Sequence, residues 1–422
     1  MKKILALLLA LVMVFALAAC GQPNNAPAAN NTPADDSPVN DDAPVGDPVD
    51  VAPAADLKVG FIFLHDENST YDLNFMKAAR EVCTELGLVE GETFLFKVPI
   101  PEGQECYDAA AELVDAGCNV IFADSFGHED YMIQAAMDFP EVEFCHATGT
   151  KAHTQGLPNY HNAFASIYEG RYLAGVAAGM KVAEMYGEDT DAKIGYVGAF
   201  TYAEVVSGYT SFFLGARSVC PNITMDVTFT GSWYDQAAEQ EAANNLINGG
   251  CVLVSQHADS LGAPSACQAA GIPNVSYNGS TIDAGPDTYI VASRINWAPY
   301  YRFVLDKVMN GESFDSDWTG TIATGSVELF ELNDAVAAAG TAEKLAEVKA
   351  ALEAGTLHVF DTATFTVDGE ALSSYLADVD DMGDYVPETE VIADGYFHES
   401  EYRSAPYFDL QIDGINLLDT AF

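Results

Sequence analysis

Aromatic and short polar side chains follow the apolar runs of this chain, at the points where a strand would give way to a loop. The aromatic residues in these positions are Tyr71, Phe126, Phe200 and Trp233. The polar residues there are Asp66, Asn68, Ser125, Glu204, Asp259 and Asn278. Aromatic faces suit a flat, neutral heterocycle such as a purine, because base stacking contributes ~1–3 kcal/mol per base and the polar groups orient the ring. These ten residues form the predicted ligand-binding site.

Trp233 is the most informative member of this set. The segment before it, MDVTFT (225–230), alternates like a strand, and the segment after it, from Asp235, is rich in Ala and Glu like a helix. Ser232 and Asp235 have the spacing of a capping box. Trp233 is therefore expected in a strand-to-helix loop, where it serves either as a stacking platform or as a plug for its own lobe.

A βα alternation must position these loops. Apolar runs rich in Val, Ile and Phe recur at intervals of roughly 25 to 35 residues with helical segments between them. The runs are 58–64, 93–98, 119–123 and 142–147, then 192–199, 225–230, 251–256 and 274–277. Two tandem sets predict an α/β fold of two doubly wound, three-layer lobes. Because ligands bind beyond the carboxyl ends of parallel strands, facing lobes would bring the loops into one cleft.

The C-terminal part of the chain is expected to return and cover one lobe. A strand at 289–293 and the helix NWAPYYRFVLDKVMNG precede an Ala-rich helix at 341–354 and a further strand, LHVFDTATFTV. The predicted lobe 1 comprises residues 57–165 plus 294–325. The predicted lobe 2 comprises residues 166–293 plus 326–422.

The N-terminus has the features of an exported lipoprotein. Lys2 and Lys3 precede a short apolar run, which predicts a signal peptide over residues 1–19. The run ends in LAACG, which resembles the lipobox of bacterial lipoproteins and implies lipidation of Cys20. Residues 20–56 are mostly Pro, Ala, Asn and Asp, a composition that indicates a disordered tether. We therefore expect a globular body anchored at the outer face of the cell membrane.

Charge and motif content exclude several classes of function. With 63 acidic and 17 basic residues the net charge is −46, which leaves nucleic-acid binding without electrostatic support. The seven cysteines besides Cys20 form no C-x-x-C pair and are interpreted as buried thiols. His257 and Asp259 have no accompanying metal motif, and the acidic loop at 378–384 lacks the ligands of a calcium loop. No metal and no cofactor are expected.

Several long motifs, taken in order, resemble one family. VIFADSFGHEDYMIQAAMDFPEVEFCHATGTK, IYEGRYLAGVAAGM, KIGYVGAFTYAEVVSGYTSFFLGARSV and GSWYDQAAEQEAANNLINGGCVLVSQHADS are similar to the basic membrane protein family. The resemblance covers roughly residues 57 to 310. It implies a periplasmic-binding-protein type I-like fold and a lipoprotein component of an ABC transporter. It also implies an ABC permease as partner and purine capture between aromatic rings in the cleft.

The sequence departs from the family in two places. The first loop, HDENSTYDLNF, lacks the Gly-rich, Trp-containing form, and Gln236 follows Asp235 where the family often has proline. The expected function is a binding protein, not an enzyme, that captures a purine nucleobase or nucleoside, with a slight preference for the nucleobase. The alternatives are a surface sensor of the same fold and an exported nucleoside or glycoside hydrolase.

Overall fold

The computed structural model describes residues 57–380 and 386–421. The predicted signal peptide, the lipidation site Cys20 and the tether lie outside the described residues. Among the helices that are described, none combines the length and the apolar composition of a membrane span. All seven cysteines of the described chain are buried free thiols, which confirms their interpretation.

The first part of the described chain builds a parallel sheet. Its strands are β1 (Val59–Ile62), β2 (Phe94–Lys97), β3 (Val120–Ala123), β4 (Glu143–Ala147) and β5 (Tyr160–Ala165). Its helices are α1 (Thr70–Glu85), α2 (Gln104–Asp115), α3 (Glu129–Asp138) and α4 (Ala152–Gln155). The strands pair in parallel in the order β2-β1-β3-β4-β5. The sequence missed β5, because His161 and Asn162 interrupt its apolar pattern.

Alternation along β1 explains why helices cover both faces of this sheet. Phe61 and Phe63 pack into the cluster that contains the buried side chains of α1, among them Phe75. Ile62 points to the opposite face and packs with the buried side chains of α2 and α3. Because successive side chains of a strand alternate between faces, an apolar strand of this kind needs cover on both sides. Three layers result.

The second part repeats the arrangement. Its strands are β6 (Lys193–Gly198), β7 (Thr224–Phe229), β8 (Cys251–His257), β9 (Asn274–Tyr277) and β10 (Tyr289–Ile295). Its helices are α5 (Ile167–Tyr186), α6 (Ala203–Arg217), α7 (Gln236–Asn248), α8 (Gly262–Ala270) and α9 (Ala298–Asn310). The parallel order is β7-β6-β8-β9-β10. Helices α5 and α6 pack on one face and α7 and α8 on the other.

Two later strands complete the sheets. β11 (Asp317–Gly320) lies parallel to β5, and β12 (Val327–Leu329) lies antiparallel to β10. We call the first sheet and its helices lobe 1, and the second sheet with α5 to α8 lobe 2. Helix α9, which follows β10 along the chain, belongs to lobe 1, where it packs against α1. The chain crosses between the lobes after β5, β10 and β11. β10 continues to Ile295, just past the predicted boundary at 294; the lobe boundaries stay a prediction.

A C-terminal segment packs onto this frame. It contains α10 (Thr341–Glu353) and the short strands β13 (Leu376–Ala377), β14 (Thr389–Glu390), β15 (Ile392–Ala393), β16 (Tyr396–Phe397) and β17 (Ile415–Leu417). Its aromatic core stacks Phe360 on Phe408 with ring centroids 4.2 Å apart. The strand predicted at 357–367 is wrong. Asp361 accepts the backbone N–H of Ala363 and forms a turn, while Phe360 and Phe365 are anchored in the core.

The small residues of α5 allow an unusually close approach to α6. A Cβ atom at Gly175 would overlap the backbone carbonyl of Phe212, and one at Gly215 would overlap that of Tyr172. Backbone atoms cannot move aside as a flexible side chain can. The two helices therefore depend on glycine at their contact.

We predict that Gly175→Ala destabilises the protein by at least about 2 kcal/mol, since overpacking costs ~1–3 kcal/mol and here meets backbone. Helix propensity alone favours alanine by about 1 kcal/mol. The sign of the change in the free energy of unfolding therefore shows which of the two effects is larger. Chemical denaturation measures the free energy of unfolding. Gly249→Ala is the control, because its Cβ meets only its own helix, at 3.2 Å and beyond. A stabilised Gly175→Ala variant would contradict the close packing.

A second prediction concerns Glu399, which is 1% exposed in the C-terminal segment. Burial raises the pKa of its carboxyl to about 8, far above the ordinary value near ~4.3. The folded state therefore keeps a proton that the unfolded state releases, and stability falls as pH rises from about 5 to 8. The loss reaches at most about 1.4 kcal/mol per pH unit.

Glu399→Gln should flatten this dependence, because the amide does not titrate. Free energies of unfolding at pH 5, 6, 7 and 8 provide the measurement. Glu370→Gln, at an exposed position of the same segment, is the control. Equal pH slopes for wild type and Glu399→Gln would show that the buried carboxyl does not bind a proton in this range.

Candidate ligand-binding site

A pocket of about 360 Å³ lies between the carboxyl ends of the two sheets. Side chains from both lobes form its walls. They are Leu64, His65, Tyr71, Asp72, Ser125, Phe126, Thr148, Glu204, Trp233, His257, Asp259 and Asn278.

The start of α1 fixes the acidic part of the lobe 1 wall. Ser69 is the N-cap, and its hydroxyl donates to Asp72 Oδ2 at 2.6 Å. Asp72 Oδ1 accepts the backbone N–H of His65 at 2.7 Å. The Tyr71 hydroxyl donates to the carbonyl of Asp124, the residue after β3, at 2.6 Å. Two neighbouring loops are thereby joined at the pocket.

The turn after β3 presents Ser125 and Phe126. Glu102 Oε1 accepts from the Ser125 hydroxyl at 2.6 Å and from the Gly127 backbone N–H at 2.8 Å, so this carboxylate holds the turn from behind. Thr148 adds a hydroxyl from the loop after β4, at a positive φ of 69°. That hydroxyl has no hydrogen-bond partner among the described residues.

Trp233 lies in the strand-to-helix loop that the sequence predicted. The capping box at Ser232 is wrong: Asp235 is the N-cap of α7 and accepts from the backbone N–H groups of Ala237 and Ala238. The Trp233 carbonyl accepts the Asp259 N–H at 3.0 Å. Buried Glu239 accepts N–H groups of Asp235 and Ser260, so it joins the loops after β7 and β8.

Four aromatic rings form a continuous series across the cleft. Phe126 of lobe 1 stacks on Tyr202 of lobe 2 with centroids 5.2 Å apart and planes at 28°. Tyr202 stacks on Phe200 at 5.1 Å and 16°, and Phe200 meets Trp233 edge-on at 5.0 Å and 65°. Phe126 and Trp233 line the pocket, whereas Phe200 contacts the Trp233 ring and does not line the pocket. Tyr202 links the lobes.

Burial controls the charge of the pocket. It raises the pKa of Asp124 well above its ordinary range, and the carboxylate of Asp72 raises it further. Burial also raises the pKa of Asp259, as do Asp72 and Glu239, while the Asn278 side chain opposes the shift. A protonated carboxyl both donates and accepts a hydrogen bond. Among the described residues that line the pocket there is no Lys or Arg.

His257 is engaged in protein contacts. Its Nε2 lies 3.4 Å from Glu204 Oε1, and its ring centroid is 4.6 Å from that of Tyr277. Burial lowers the pKa of this imidazole and favours its neutral form. Elsewhere, carboxylate oxygens of Asp378, Asp380 and Glu388 lie within 4.8 Å of one another, but Glu388 already accepts backbone N–H groups of Val379 and Asp380.

The structure brings seven of the ten predicted residues to the pocket. They are Tyr71, Ser125, Phe126, Glu204, Trp233, Asp259 and Asn278. Asp66 and Asn68 lie in an exposed turn, where Asp66 Oδ1 accepts both N–H groups of Asn68, so they do not line it. Whether any of the ten contacts ligand stays a prediction.

The predicted site did not include five lining residues: Leu64, His65, Asp72, Thr148 and His257. Four of them, all except Leu64, lie in the loops that follow the predicted apolar runs, and Leu64 is the last residue of the first run. Their position after the predicted strands is the sequence signal that could have identified them. What sequence does not show is which side chain of a loop turns inward, since that depends on bonds such as those that hold Asp72.

Comparison with known proteins supports one assignment. Residues 66–356 match the family model described as Bmp, ABC transporter substrate-binding protein PnrA-like. A purine-binding protein of Brucella abortus is 36% identical over 258 residues, which is 60% of this chain and 69% of that protein. A Haloferax volcanii protein named as an ABC transporter glucose-binding protein is 37% identical over 203 residues, 48% of this chain and 49% of that protein.

A solved structure has the same fold. The solute-binding protein of an ABC transporter system from Conexibacter woesei has a TM-score of 0.58 at 19% identity, and the likeness covers 72% of this chain and 98% of that one. It confirms the predicted two-lobed, periplasmic-binding-protein type I-like fold. Because the family model matches more than half of the chain, the chain belongs to the PnrA-like family of ABC transporter substrate-binding proteins.

Proposed function

We propose that this protein captures a purine nucleobase or nucleoside between its lobes and delivers it to the permease of an ABC importer. The observation that carries the proposal is the pocket between the lobes, with an aromatic side chain on each side and polar groups around it. Reversible capture, rather than catalysis, is the activity of the family to which the chain belongs.

The aromatic walls favour a flat ligand. Phe126 enters from lobe 1 and Trp233 from lobe 2, so closure of the lobes would sandwich a planar ring. Each stacking face contributes ~1–3 kcal/mol. A Kd near 1 μM needs about 8 kcal/mol, which two faces and several oriented hydrogen bonds reach. The purine-binding name of the Brucella relative supports the same ligand class.

The polar groups favour a ligand rich in N–H and O–H donors. Asp72, Glu204 and Asp259 supply carboxyl oxygens, whereas Ser125 and Thr148 supply hydroxyl groups. A purine carries ring N–H groups, and in several cases an amino group, along its edges. These carboxyl groups already have protein partners, and their remaining acceptor capacity would be used by a ligand with such donors, which gives selectivity.

The N-terminal features complete the proposal. Signal peptide, Cys20 and tether would hold the binding lobes at the outer face of the membrane, next to the permease.

Calorimetry on residues 57–422 tests the ligand class. The panel contains adenine, guanine, hypoxanthine, xanthine and their ribosides, together with ribose and glucose, the last because of the Haloferax relative. We expect one purine to bind with a Kd near 1 μM. Trp233→Ala and Phe126→Ala should each weaken it about 5- to 150-fold, which corresponds to ~1–3 kcal/mol of stacking.

Tyr186→Ala serves as the matched control, because Tyr186 is an aromatic residue that is 55% exposed at the end of α5. Its affinity should equal that of the wild type. Binding of glucose but of no purine would overturn the ligand class. Conversion of a riboside to base and sugar during the titration would favour the hydrolase alternative.

The anchor is tested separately in cells. Metabolic labelling with palmitate should mark the wild-type protein and leave Cys20→Ser unlabelled, and the variant should leave the membrane fraction. The seven remaining cysteines serve as internal controls, since they are buried free thiols. Label that persists in Cys20→Ser would contradict lipidation at this residue.

A further inference from the structure

The last residues of the chain lie beside the aromatic loops of the pocket. Strand β17 pairs in parallel with β7 and forms the edge of the lobe 2 sheet, in the register Ile415 with Met225 and Leu417 with Val227. Parallel strands bring their carboxyl ends to the same edge of a sheet. The chain that follows β17 is therefore directed toward the cleft. This segment lies outside residues 66–356, the range that matches the family model.

The residues after β17 bind both loops of the aromatic series. Asp419 Oδ1 accepts the backbone N–H of Phe229 at 2.8 Å, and Oδ2 accepts the Thr228 hydroxyl at 2.6 Å. The carbonyl of Ala421 accepts the Thr201 N–H at 2.7 Å, and the Ala421 N–H donates to the Thr201 hydroxyl at 2.9 Å. The contacts thus reach the end of β7 and the loop after β6.

The contacted residues lie next to, or a few positions before, members of the aromatic series. Thr201 separates Phe200 from Tyr202, the two rings that stack at 5.1 Å. Phe229 ends β7, four positions before Trp233. Without the terminal segment, the N–H groups of Thr201 and Phe229 would lose their partners. Both loops would then sample more conformations, and stacking requires that the rings stay aligned.

We propose that residues 415–421 are positioning residues for the aromatic wall of the pocket, so that the ligand affinity of this protein depends on this segment. The expected change in ligand affinity rests on the proposed function. The expected change in the order of the two loops does not. The Asp419 carboxylate and the Ala421 backbone make the contacts of this segment. The segment does not line the pocket. It fixes the lobe 2 half of the wall before a ligand arrives.

The experiment uses residues 21–422, Asp419→Ala, Thr201→Val and a chain that ends at Leu417. Asp306→Ala is the matched control, an exposed aspartate on α9 in lobe 1. Hydrogen–deuterium exchange in the absence of ligand follows the amides of residues 199–203 and 228–234. Calorimetry with hypoxanthine and inosine measures affinity, and a thermal melt measures stability.

We expect exchange in these two stretches to rise at least about fivefold in Asp419→Ala and in the shortened chain, with Asp306→Ala unchanged. Affinity should fall about 5- to 30-fold, while residues 59–165 keep their protection. Thr201→Val should affect only residues 199–203. Wild-type exchange and wild-type affinity in Asp419→Ala and the shortened chain would overturn the proposal.

Two other outcomes separate the possible causes. A lower melting temperature with unchanged exchange and affinity would assign the segment a purely structural role and overturn the proposal. If neither hypoxanthine nor inosine binds the wild type, the ligand class proposed above fails. The exchange measurement then still decides whether the C-terminus positions the loops.

Discussion

The structure depends on one geometric constraint: two parallel sheets present their carboxyl ends to a shared cleft. Every pocket residue lies at the end of a strand, in the loop after it or in the first turn of the next helix, from Leu64 after β1 to Asn278 after β9. The apolar strands need helices on both faces of each sheet, and because these helices connect parallel strands, the strand-to-helix loops gather at this edge. Packing that stabilises the lobes and geometry that assembles the pocket therefore have the same origin.

Within the cleft, burial opposes the ionisation of the carboxyl groups. A protein with a net charge of −46 places further carboxyl groups in a pocket whose described lining has no basic residue. Burial then raises the pKa of Asp124 and Asp259, and mutual repulsion raises it further. Under the proposed function, these carboxyl groups would suit a neutral ligand that donates hydrogen bonds better than an anion. The aromatic rings from both lobes would favour a planar ligand.

The sequence predicted the frame well and the fine structure less well. Apolar runs at βα spacing were sufficient to predict nine of the ten strands β1 to β10. Strand β5 was missed because it contains polar residues. Its His161 is hydrogen-bonded to Glu143 and its Asn162 to Glu129, so these polar side chains can occupy a buried strand. Seven of the ten residues predicted from their position after strands line the pocket. Asp66 and Asn68 bond to each other instead, and the terminal contacts of Asp419 and Ala421 depend on pairing between residues about 190 to 220 positions apart. Local pattern does not encode such pairs.

The central claim is that a flat donor-rich ring binds between Phe126 and Trp233. A crystal structure of residues 57–422 grown with hypoxanthine tests it most directly. We expect the purine plane to lie against the faces of both side chains, at the ~3.5–4.0 Å separation of carbon atoms in contact, with its N–H edge toward Asp72 or Asp259. A purine bound away from both rings, or a cleft that stays closed and empty at saturating ligand, would contradict the account.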